Sequence, residues 1–135
     1  MKIMVMDGQG GGVGRSLIEA LTERFPEAQV LAVGTNATAT ANMMKGGTAM
    51  GATGENAVVY NSSRVDVIMG PIGIVMANAM LGEITPKMAE AVSTSDAKLV
   101  LLPMNKYHVT VVGMSNKKLG EMVKEAVESI EVSKQ

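Results

Sequence analysis

Met1-Lys2-Ile3-Met4-Val5-Met6-Asp7-Gly8-Gln9-Gly10-Gly11-Gly12-Val13-Gly14-Arg15-Ser16 opens the chain, and its reading decides the fold. Residues 2–6 form a nearly continuous apolar run, as a strand covered on both faces requires. Five glycines then fall within residues 8–14. Glycine lets a backbone turn sharply and come close to a ligand. Leu17, Ile18, Leu21 and Phe25 follow at helical spacing, and Pro26 ends that helix. Strand, glycine-rich turn and helix in succession present unpaired helix N–H groups at the end of a strand, where a phosphate is readily held.

The same alternation continues outward. Residues 30–33 are apolar and read as a second strand, followed by Thr35, Asn36 and an Ala/Thr-rich helix to Lys45. Residues 46–54 hold four glycines and read as irregular. Thr53 is placed to cap a short helix through Asn61, with Glu55 in its first turn. Residues 65–69 read as the third strand, Gly70-Pro71-Ile72-Gly73 as its exit, and the apolar stretch to Leu81 as a helix. Thr85-Pro86 is a cap and N1 proline for a helix to Ser93. Residues 99–102 form a fourth strand and 108–112 a fifth, before Leu119, Met122, Val123, Ala126, Val127 and Ile130 mark a last helix. Strands alternating with helices imply a mainly parallel sheet covered on both faces, an α/β three-layer Rossmann-like architecture. The fourth and fifth strands are joined too tightly for a parallel crossover, so the fifth is expected to be an antiparallel edge. The expected order is 2-1-3-4-5, in a single domain over residues 1–135.

Composition excludes several classes of function. Twelve basic and thirteen acidic residues leave a formal charge of −1, which offers no field for nucleic acid or an anionic membrane. Two Tyr, one Phe and no Trp leave little on which bases could stack. The absence of Cys removes disulfides and thiolate catalysis. Glycines and a proline break the longest apolar stretch, 68–81, and no signal peptide is evident, so a cytoplasmic location is expected. Thirteen Met residues read as adaptable core filling in a chain poor in aromatics. No residues have metal-ligand spacing.

In open α/β sheets, ligands sit outside the carboxyl ends of the strands. The exits here are residues 7–14, Thr35-Asn36, Gly70–Gly73 and Pro103-Met104-Asn105, all glycine-rich or polar. The expected ligand-binding residues are therefore Gly8, Gly10, Gly11, Gly12, Val13 and Gly14, with Thr35, Asn36, Gly70, Pro71, Ile72, Gly73, Asn78 and Asn105. Asp7, Glu55 and Glu83 are the carboxylates nearest the expected cleft. Asp7 reads either as the group that holds the turn or as a ribose or metal contact. Glu55 reads either as a dipole partner or as a base. His108 stands at the start of the expected edge strand, with no catalytic partner in view.

The spacing Gly8-x-x-x-Gly12-x-Gly14 resembles the fingerprint of short-chain dehydrogenase/reductase-like Rossmann domains. Tyr60-Asn61-Ser62-Ser63-Arg64 resembles their Tyr-x-x-x-Lys dyad, but Arg replaces Lys and the segment comes too early. Residues 11–16 look like the end of a deviant Walker A loop, but Gly10 and Arg15 stand where that family has lysines. Residues 6–14, Gly51-Ala52-Thr53-Gly54-Glu55-Asn56-Ala57, and residues 70–74 through 81–86 are similar to a family of short Firmicutes-type bacterial proteins known as a domain of unknown function. That resemblance implies a stand-alone Rossmann-like domain and brings no activity with it. The layout of residues 66–105 is also similar to the 2-phospho-lactate transferase family and its nucleotide-sugar-binding relatives.

Two readings from different classes follow. One is a binding or sensor module for a nucleotide, a nucleotide-sugar or a similar phosphorylated small molecule, with an NAD-like dinucleotide possible as cofactor. The other is a small transferase-type or nucleotide-dependent enzyme using the cleft carboxylates. A third is a structural oligomer subunit. The apolar surface of Ile74, Val75, Met76 and Met80 predicts a homo-oligomer, most simply a dimer.

Overall fold

The computed structural model describes residues 1–104, 108–114 and 116–133. Its strands are β1 (Lys2–Asp7), β2 (Gln29–Gly34), β3 (Met50–Thr53), β4 (Val67–Pro71) and β5 (Lys98–Leu102). Its helices are α1 (Gly12–Arg24), α2 (Ala37–Met44), α3 (Glu55–Ser62), α4 (Pro86–Ser93) and α5 (Leu119–Ser133), with a 3-10 turn at Ile72–Val75. The strands form one sheet in the order β3-β2-β1-β4-β5, and every pairing is parallel.

β1 shows how the apolar runs are used. Ile3 and Val5 face Leu17, Ile18 and Leu21 of α1 and Val123, Ala126 and Ile130 of α5. Met4 and Met6 face the other way, onto Val58 of α3 and Met88, Ala89 and Val92 of α4. The continuous run in the sequence is thus two alternating faces, each under its own layer of helices. From β1 the chain winds out to β2 and β3 and then returns to β4 on the opposite side of β1. This reversal leaves a crevice outside the carboxyl ends of β1 and β4, the place where such sheets bind ligands.

Three expectations are corrected. The fifth strand is not at residues 108–112 and is not antiparallel; it is β3, paired in parallel with β2 from Leu31↔Met50 to Gly34↔Thr53. Residues 108–114 are all exposed, so their β-branched side chains have no sheet face to cover. Strand propensity is largely that packing, and without it the run stays irregular. Thr53 ends β3 instead of capping α3, and Gly54 takes the cap position at φ 100. The Thr53 hydroxyl meets that of Thr40 at 2.8 Å.

The helix expected over 72–81 is the third correction. It stops after the 3-10 turn and gives way to tight turns in which Asn78, Met80 and Leu81 have φ of 67, 57 and 56. Ile74 and Met80 enter the protein's own core, so the apolar surface proposed for oligomerisation loses both. The helix start at Thr85-Pro86 forms as expected, with the Thr85 hydroxyl accepting from the Met88 N–H at 3.1 Å. Among the described residues, no helix is long and apolar enough to cross a membrane.

Candidate functional site

The turn between β1 and α1 is held one peptide at a time. Asp7, at the end of β1 and buried, accepts from the Gly8 N–H with Oδ1 and from the Gly14 N–H with Oδ2, both at 2.8 Å. It therefore ties the loop's entry to the first turn of α1, the turn-holding role of its two readings. The Gly11 N–H donates to the Gly8 carbonyl at 2.9 Å, closing a tight turn. Gly11 itself lies at φ 73, a left-handed conformation that glycine adopts without strain. The Asn42 amide donates to the Gly10 carbonyl at 2.9 Å, and the Arg15 guanidinium donates to Asn42 at 3.0 Å.

Asn36 completes the frame. Its Oδ1 caps α2 by accepting from the Ala39 N–H at 2.8 Å, while its Nδ2 donates to the Gln9 carbonyl at 3.0 Å. In a trans peptide the C=O and N–H point in opposite directions. With the Gln9 carbonyl held by Asn36, the Gly10 N–H faces away from it. The Gly11 carbonyl is likewise taken by the Arg15 N–H at 2.9 Å, which aims the Gly12 N–H outward from the helix start. Among the described residues, no protein acceptor meets the N–H groups of Gly10, Gly12 and Val13.

These three donors border a cavity of about 380 Å³ lined by Asp7, residues 8–13, Pro71, Met80, Met104 and Leu119. A Cβ at Gly10 or Gly12 would meet nothing within 4 Å. The cavity has one polar wall of backbone amides and one apolar wall of proline, two thioethers and a leucine. The exits of β1 and β4 thus share one space, because β4 pairs directly with β1.

Gly8, Gly10, Gly11, Gly12, Val13 and Pro71 line that space. Gly14 lies one residue beyond it, with its N–H on Asp7. Gly70, Ile72, Gly73, Asn78, Thr35 and Asn36 do not line it. Gly70 has a packing reason for its identity, since a Cβ there would strike the Met6 carbonyl oxygen. Asn78 is an exposed turn residue whose N–H donates to the Ile84 carbonyl at 2.7 Å. Asn105 lies outside the described residues. Glu55 sits exposed in the first turn of α3, away from the cavity. Met80, Met104 and Leu119 are lining residues that sequence reasoning did not single out. Met104 belongs to a recognised strand exit, and that position was its only signal.

Glu83 reaches the loop from a different element. Its Oε1 accepts from the Thr35 hydroxyl at 2.6 Å, the Gln9 N–H at 2.8 Å and the Asn36 amide at 2.9 Å. Partial burial alone would raise its pKa, but the donors from Thr35, Gln9 and Asn36 outweigh that and hold it below the ordinary carboxylate value. One ionised oxygen thereby joins the exits of β1 and β2. Among the described residues, no cluster of three His, Asp or Glu side chains could hold a metal ion.

A family model matches residues 2–135 of this sequence. The chain belongs to the family described as Domain of unknown function (DUF3842). No curated protein matches it. Among solved structures, this family member is similar to a dodecameric FMN-dependent UbiX-like decarboxylase from Escherichia coli O157:H7. That likeness has a TM-score of 0.50 at 20% identity and covers 97% of this chain and 76% of that one. A crystal structure of AibC gives a TM-score of 0.49 at 16% identity, over 98% of this chain and 42% of that chain. At these identities the decarboxylase likeness shows the shared fold, a Rossmann-like, flavodoxin-type parallel sheet.

Proposed function

We propose that this DUF3842 protein is a binding module for a phosphorylated small molecule, a nucleotide or a close relative, held in the crevice between β1 and β4. The carrying observation is the set of three N–H donors on Gly10, Gly12 and Val13, bordering a 380 Å³ cavity with open space above both glycines. Oriented amides at a helix N-terminus favour a phosphate through both hydrogen bonding and dipole. Among the described residues, no lysine or arginine lines the cavity. That suits a single phosphate group better than a di- or triphosphate, whose charge is usually met by a cation. The apolar wall of Pro71, Met80, Met104 and Leu119 would receive the ligand's body. A volume of about 380 Å³ falls in the range of ordinary small-molecule sites.

Binding is favoured over catalysis because Asp7, the one ionisable side chain of the lining among the described residues, has each carboxylate oxygen committed to a loop N–H. The FMN dependence of the similar decarboxylase makes flavin mononucleotide the first probe, a ligand with one phosphate and a flat apolar body. Titration with FMN and with inorganic phosphate, followed by amide chemical shifts, is expected to move Gly10, Gly12 and Val13 first. Gly12→Val should abolish these shifts while the circular dichroism stays near native. Undiminished binding in a well-folded Gly12→Val protein would refute the assignment.

A further inference from the structure

We infer that the outer edge of β5 is a self-association surface, where it pairs antiparallel with β5 of a second copy of this chain. β5 ends the sheet, and among the described residues no strand lies beyond it. The Lys98 N–H donates to the Asp66 carbonyl at 3.0 Å, so Lys98 turns its backbone groups toward β4. Successive residues of a strand turn theirs to opposite sides. Val100 and Leu102 therefore also bond toward β4, while Leu99 and Leu101 aim N–H and C=O outward. Among the described residues, no protein group meets those two donors and two acceptors.

Such an edge is a template for another strand unless proline, a bulge, central charge or a covering segment guards it. β5 pairs with β4 without interruption over all five residues, and its one charge is at its first residue, Lys98. Leu99, Val100 and Leu101 are only half-buried, so apolar surface remains on both faces of the edge. Residues 108–112 could have covered it by folding back, but they are exposed. Met104 packs into the cavity wall beside the β1 loop. The chain therefore leaves β5 across the carboxyl end of the sheet, away from the open edge.

The occupant is a second copy because this edge is complementary to itself. An antiparallel ladder matches outward-facing residues in pairs that exchange both hydrogen bonds. With Leu99 opposite Leu101 of the second copy, and the reverse, every outward donor and acceptor of 99 and 101 is used. Shifting the register by two residues either way leaves groups unpaired. One shift sets Leu99 against Pro103, which has no N–H to give. The other sets Leu101 against Ala97, whose N–H is already held by the Ser95 hydroxyl at 3.0 Å. The matched register puts a two-fold axis at Val100, which faces its own counterpart, and sets Lys98 against Leu102 so that like charges stay apart. Antiparallel pairing also sends the two cavities to opposite ends of the joined sheet, each complete within its own copy. The inference therefore stands apart from the phosphate reading, and either can fail alone.

The test uses the full chain. Sedimentation at roughly 50 µM should show a dimer. By hydrogen exchange, the Leu99 and Leu101 amides, without an acceptor in their own chain, should exchange about fivefold more slowly at roughly 500 µM than at roughly 5 µM. The Val100 and Leu102 amides, bonded to β4, should be slow at both. The chain has no cysteine, so a single one reports the register. Val100→Cys sets two thiols in a directly opposed pair with Cα atoms about 4.5 Å apart, within disulfide reach. Mild oxidation should link most of it into a covalent dimer. Lys98→Cys lies roughly 13 Å along the strand from its counterpart and should stay largely unlinked. A monomer in wild type would overturn the inference, and so would a dimer whose Leu99 and Leu101 amides exchange freely. Equal linking of the two cysteine variants would mean random collision and count against it too. The wild-type measurements decide the matter even if a variant fails to fold.

Discussion

Gly11→Ala tests the loop's geometry most directly. The backbone at Gly11 lies at φ 73 and ψ 16, a region that an L residue enters at a cost of roughly 1–2 kcal/mol. A Cβ there would stand 2.6 Å from the Ala39 carbonyl oxygen and 2.9 Å from the Ala39 Cα. Both are backbone atoms of α2, so no rotamer change relieves the contact, and overpacking adds about 1–3 kcal/mol. The combined loss is about 3.5 kcal/mol at the middle of those ranges, and at this chain length it lowers Tm by roughly 12 °C. Gly12→Ala is the matched control. Gly12 is the first residue of α1, its Cβ would meet nothing within 4 Å, and alanine is the better helix former. Its Tm should stay level or rise. Thermal unfolding of both variants, followed by far-ultraviolet circular dichroism, reads the difference. A Gly11→Ala Tm within about 2 °C of wild type, or an equal fall in Gly12→Ala, would show that α2 does not confine the loop as described.

Two other outcomes are expected. Glu83 has a folded pKa held below its ordinary value, so its contribution to stability is present above about pH 4.3 and fades as pH falls through the folded value. The stability gap between wild type and Glu83→Gln should therefore narrow on acidification below about pH 4, and a gap that stays constant across that range would contradict the hydrogen-bonded carboxylate. Self-association is expected too. Its surface is not the one that Ile74 and Met80 suggested; among the described residues, Leu81 and Val112, 97% and 93% exposed, are the large apolar side chains most open to solvent. Sedimentation at roughly 50 µM that shows only a monomer would remove this expectation.

Local information in the sequence determined the elements whose residues carry their own reason to form. Residues 2–6 and 30–33 are apolar on both faces, Leu17, Ile18 and Leu21 recur at helical spacing, and Thr85-Pro86 supplies a cap and a compatible φ. Those patterns sufficed to put a glycine loop at the end of the first strand and beside the strand that ends at Pro71. The fifth strand was not legible, because Met50-Gly51-Ala52-Thr53 has no apolar face and only Thr53 among its residues favours a strand. It becomes a strand only because β2 offers an unsatisfied edge for its backbone. Residues 108–112 err in the opposite direction, with β-branched side chains and nothing to pack against.

The site divides in the same way. The donors of Gly10, Gly12 and Val13 could be expected from glycine spacing, since they belong to one short turn. Met80, Met104 and Leu119 reach the cavity from three separate segments, and Glu83 meets Gln9 across 74 residues of chain. Such contacts leave no periodicity or spacing for a sequence to show. Only the folded chain brings that carboxylate to the loop, because the hydrogen bonds that place it exist solely once the sheet has aligned the strand exits.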